Sequence, residues 1–100
     1  MKVFDKNNKW NFVDDNNVFV GYESGSCCCE DYGYLLTREV PKSEGVGTLP
    51  NSDADGYVFD TNFFKEEAAP RGNDGGMVTF RLTKENEKDL YLTLYNIHNG

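Results

Sequence analysis

The last quarter of the chain limits its fold more than any other stretch. Val78, Phe80 and Leu82 alternate with Thr79, Arg81 and Thr83. After the charged turn 84–89, Leu90, Leu92 and Leu94 alternate with Tyr91, Thr93 and Tyr95. In extended backbone successive side chains point to opposite faces. The pattern therefore predicts a hairpin over 77–97 with one aliphatic face on a core and a Thr/Tyr/Arg face half exposed. No segment sustains the 3.6-residue apolar period of an amphipathic helix over about ten residues. A chain that ends this way has to be completed by more strands.

The first quarter supplies them. Trp10 and Phe12 share one face of 9–13, and Val18, Val20 and Tyr22 share one face of 18–23. Between the runs stand Asp14, Asp15, Asn16 and Asn17, four turn formers. This predicts a hairpin over 9–23, with Gly21 marking a bulge or a close backbone approach. Segment 32–40 reads as a further strand carrying Tyr34, Leu36 and Arg38, with a short helix over 30–36 as the competing reading. Segment 57–64 reads as extended, with Tyr57, Phe59 and Phe63 on one face. Segments 41–56 and 65–76 read as polar loops. The expected fold is mostly β: antiparallel hairpins forming a small barrel or sandwich of about six strands, with at most one short helix. One hundred residues make one domain, 1–100.

Composition narrows the partners. The net charge is −7. That disfavours direct contact with nucleic-acid phosphates or an anionic membrane and suits a basic protein surface. No apolar run is long enough for a membrane helix. The first residues lack the apolar centre of a signal peptide, so the expected location is cytoplasmic. Three cysteines, an odd count, in such a chain point to reduced thiols.

Those cysteines are consecutive: Cys27, Cys28 and Cys29, followed by Glu30 and Asp31. Three readings stand. Thiols pack as small hydrophobes. Cys27 and Cys29, on one face of an extended segment, could hold a soft metal with His98 if the two ends of the chain meet. That set falls short of the four ligands of structural zinc. A reactive thiol needs an electropositive setting, and Glu30 and Asp31 supply the opposite. Segment 51–56 matches the first half of an EF-hand loop through Asn51, Asp53, Asp55 and Gly56, but Asn62 stands where the bidentate glutamate belongs. It reads first as an Asx-rich turn. No catalytic trio of nucleophile, base and orienting group can be assembled. No enzyme activity and no cofactor are expected.

The stretch 11–21 followed by Cys28-Cys29-Glu30 resembles small uncharacterised bacterial and phage proteins that carry a Cys-Cys-Glu signature after a first β-hairpin. Cys27 is outside that signature. The resemblance implies a small β domain borne by a phage or mobile element and no catalytic residues. If the chain comes from such an element, the natural target is a host protein, such as a nucleic-acid-binding one whose basic groove an acidic surface would occupy. The functional expectation is a non-enzymatic acidic protein-interaction module. Its expected contact set is Glu30, Asp31, Asp53, Asp55 and Asp60, with Tyr34 and Tyr57 as anchors. The alternative is a small metal- or thiol-dependent site at Cys27–Glu30.

Overall fold

A computed structural model describes residues 1–6, 9–23, 30–40, 48–63, 65–68 and 76–98. They form eight strands in two antiparallel sheets. The first sheet has the order β1-β2-β3, from Lys2–Lys6, Lys9–Val13 and Phe19–Glu23. The second sheet runs β4-β8-β7-β5, from Glu30–Thr37, Leu90–His98, Gly76–Thr83 and Val58–Phe59; β6, Lys65–Ala68, also pairs with β7. The one helical element among the described residues is a 3-10 turn, Asn51–Ala54. The two sheets share one apolar core and do not close into a barrel.

Both expected hairpins form. Phe12 faces Val20 across β2–β3, and Phe80 faces Leu92 across β7–β8. Each turn is completed by an asparagine in left-handed backbone, Asn17 (φ 62°) and Asn86 (φ 64°). Asparagine tolerates that conformation better than other residues with a Cβ. The register through Asn11–Gly21 is unbroken, so Gly21 marks no bulge. Segment 30–37 is strand, not helix. Gly33 sits opposite Tyr95, where a Cβ would come within 2.7 Å of the tyrosine hydroxyl.

The core lies between the sheets. Phe12 and Leu82 are fully buried, and Leu36, Phe59, Leu90, Leu92 and Leu94 pack with them. Each such side chain contributes about 1.5–3 kcal/mol relative to exposure. Trp10 and Phe12 both meet the Tyr34 ring edge-on, at 5.2 and 5.1 Å between centroids. The opposite face of the second sheet, expected to be half exposed, is buried at its centre. Leu35, Thr79 and Thr93 are 6%, 3% and 0% exposed, and the two threonine hydroxyls bond at 3.0 Å.

Details of the elements differ from expectation. The described residues include two strands beyond those expected, β1 and β6. β6 lies within the expected loop 65–76; its Lys-Glu-Glu run forms strand by pairing Lys65 with Thr79 and Glu66 with Val78. The expected extension over 57–64 shortens to Val58–Phe59. Asp60 ends it: its Oδ1 accepts from the Asn62 amide and its carbonyl from the Phe63 amide, folding the chain back. In the expected loop 41–56, residues 41–47 lie outside the described ones, and Asn51–Ala54 form the 3-10 turn.

Candidate functional site

Two depressions are formed by described residues. One is a polar cleft of about 230 Å³ at the end of the β7–β8 hairpin, lined by Arg38, Asp53, Tyr57, Lys84, Glu87 and Leu90. The turn at Gly56 (φ 80°) brings the 3-10 segment against Lys84. The lysine ammonium donates to the Asp55 carbonyl at 3.2 Å and lies 5.8 Å from the Tyr57 ring centre. The Tyr57 hydroxyl donates to the Lys88 carbonyl at 2.7 Å. Burial, and then the charge of Glu87, hold this phenol above the ordinary tyrosine range.

The other is an apolar groove of about 200 Å³ between the sheets. Val18 and Val20 form one wall; Phe59, Phe63 and Phe80 form the other, with Asp60 and Thr61 at the rim. Phe59 and Phe80 meet edge-on at 5.8 Å. Asp60 Oδ2 accepts from Arg81 Nε and Nη2 at 3.0 and 2.6 Å. The guanidinium also lies 4.7 Å from the Phe63 ring centre. The hydrogen bond from Arg81, followed by the Asn62 amide, holds the Asp60 carboxyl below its usual range. On the other face of β3, pointing away from the groove, Phe19 is 62% exposed.

The two walls are tied by one carboxylate. Asp14 is 4% exposed. Its Oδ1 accepts from the Asn16 and Val18 amides, each at 2.9 Å, and its Oδ2 from the Phe59 amide at 2.8 Å. It thus bonds the turn before β3 to β5.

The expected contact residues do not fall in one place. Asp53 lines the polar cleft and Asp55 follows it, its carbonyl accepting from Lys84; both are exposed. Tyr57 forms the cleft floor and is only 6% exposed, so its ring is core rather than a projecting anchor. Tyr34 is half-buried against Trp10 and Phe12, and its hydroxyl accepts from Asn51 Nδ2 at 3.0 Å. Asp60 belongs to the groove and is already paired with Arg81. Glu30 and Asp31 begin β4, and their side chains lie outside the described ones. So do residues 24–29, and with them Cys27, Cys28 and Cys29. The register nevertheless places His98 opposite Glu30. The Cys27/Cys29/His98 set itself lies outside the described side chains. Among the described residues no three His, Cys, Asp or Glu side chains converge as metal ligands.

The groove was missed from sequence. Part of it had a signal: Val18 and Val20 share one face of the expected strand, and both line the groove. No family model matches this chain, and no curated protein or solved structure does either. Among the described residues no helix is long and apolar enough to cross a membrane.

Proposed function

We propose that this protein is a non-enzymatic protein-interaction module that acts in the cytoplasm on a partner with a basic surface. The observation that carries this reading is the apolar groove lined by Val18, Val20, Phe59, Phe63 and Phe80, on a strand whose other face carries the exposed Phe19 ring. A partly enclosed apolar surface lined by aromatic rings is what binding anchors use. The net charge of −7 supports it, since such a field speeds encounters with basic surfaces. The described acids with the best geometry serve structure: Asp14 holds backbone amides and Asp60 holds Arg81. Origin in a phage or mobile element, with a host protein as target, belongs to the same reading and rests on Cys28-Cys29-Glu30 after the first hairpin.

The test is affinity capture by the tagged full chain from the source cell, followed by association rates for the captured partner across ionic strength. The expected result is a basic partner whose association slows as salt rises. Capture of nothing at low salt, or turnover of a substrate, would refute the reading.

A further inference from the structure

We propose that the partner docks as an added β-strand on the edge of β3, with alternate apolar side chains in the groove. The inference rests on the interaction-module reading and names how that site is used.

The argument begins with the ladder. The Asp14 amide donates to the Val18 carbonyl at 3.0 Å, which makes 14/18 a hydrogen-bonded pair. Such pairs alternate along an antiparallel ladder. Phe12/Val20 is therefore also hydrogen-bonded, while Phe19 and Gly21 turn their N–H and C=O groups away from β2. Both residues are exposed, and among the described residues no group bonds those outward atoms.

Three other edges are managed. On β4, the outward Leu36 amide donates to Thr48 Oγ1 and the Leu36 carbonyl accepts from the Leu49 amide. On β5, the outward Phe59 amide is taken by Asp14. β1 carries exposed Lys2 and Lys6, the residues that discourage edge pairing. β3 has no lysine, no proline and no bulge. Its unpaired backbone calls for another extended backbone.

The groove then selects side chains. Val18 and Val20 point into it from β3, and Phe59, Phe63 and Phe80 line its far side. An added strand would send every second side chain there and lay the others toward Phe19. With charge −7 on the chain, the favoured occupant is an extended segment of another protein, apolar at alternate positions and lysine- or arginine-rich between them.

The experiment displays random peptides of about ten residues, a strand's length, to the full chain. Enriched peptides are then measured by fluorescence anisotropy and size exclusion. The expected motif alternates apolar with basic residues. N-methylation at alternate peptide amides should weaken binding about tenfold or more, because each removes a backbone donor. Gly21→Pro, which deletes an outward N–H but leaves the β2 ladder intact, should do the same. Phe19→Lys, on the outer face, provides a second variant should the proline disturb folding. Binding insensitive to all three changes would overturn edge docking while leaving the module reading in place. A dimer dissolved by Gly21→Pro would assign the edge to a second copy and overturn the proposed partner. If neither a peptide nor a cellular protein binds the chain, both readings fall.

Discussion

Replacing Asp14 should be among the most damaging single changes outside the apolar core. Asp14→Ala removes three acceptor contacts at once. The Phe59 amide is buried, and leaving it unpaired costs about 1–3 kcal/mol. The Asn16 and Val18 amides are partly buried, so water replaces much of what they lose; about 0.5–1.5 kcal/mol each is the ordinary value of such a bond. Relief of the buried charge offsets part of the sum. The net expectation is a loss of about 3 kcal/mol. For a chain of this size each kcal/mol moves the midpoint by roughly 4–8 °C, so Tm should fall by at least about 12 °C. Asp14→Asn separates the contributions: it keeps an oxygen for Asn16 and Val18 but turns an amide donor toward the Phe59 N–H, and should lose about 1–3 kcal/mol. Urea unfolding followed by tryptophan fluorescence, with unchanged m, gives both numbers. An alanine variant within about 0.5 kcal/mol of the parent, the range of inert surface changes, would refute the bridging role.

Other consequences can be checked separately. Because Arg81 lowers the folded Asp60 carboxyl below its unfolded value of about 3.9, its stabilisation is present above that value and lost as pH falls through the folded one. Asp60→Asn should therefore lower stability near neutrality and converge with the parent in acid; a constant gap across a pH series of melts would contradict the pairing. Reversing Asp53 and Asp55 to lysine should slow association with a basic partner and flatten its salt dependence in stopped-flow traces, with little change in Tm. Protein purified without chelator should hold less than one equivalent of zinc, because Cys27, Cys29 and His98 make only three ligands; stoichiometric zinc that disappears in Cys29→Ser would revive the metal reading.

What could be read in the sequence was what local alternation encodes. The hairpins β2–β3 and β7–β8 follow from period-two patterns around turn formers, and the outward direction of Phe19 follows from its neighbours. What could not be read depends on partners far along the chain. β6 contains Lys65-Glu66-Glu67, residues poor in β propensity, and exists through its pairing with β7. Asp60 reads as a free surface acid until Arg81, 21 positions on, is folded beside it. Tyr57 reads as an exposed anchor until its hydroxyl finds Lys88, 31 positions on. The groove is the extreme case, since its walls come from different sheets.

That origin makes groove geometry and stability separable. The Val18–Val20 wall belongs to the first sheet and the Phe59–Phe63 wall to the second, and the Asp14–Phe59 bond crosses between them. The core beneath holds both sheets through Phe12, which is fully buried and not part of the groove lining. Phe12→Ala should cost about 3–5 kcal/mol, comparable to or larger than Asp14→Ala. It leaves the bridge between the walls intact. At a temperature where both variants remain folded, Phe12→Leu, a milder change at the same position, and Asp14→Asn can be matched in stability. If the groove is the binding site, only the Asp14 variant should weaken peptide binding beyond what its unfolded fraction explains. Equal binding losses at equal stability would mean that the bridge has no particular role in setting the groove.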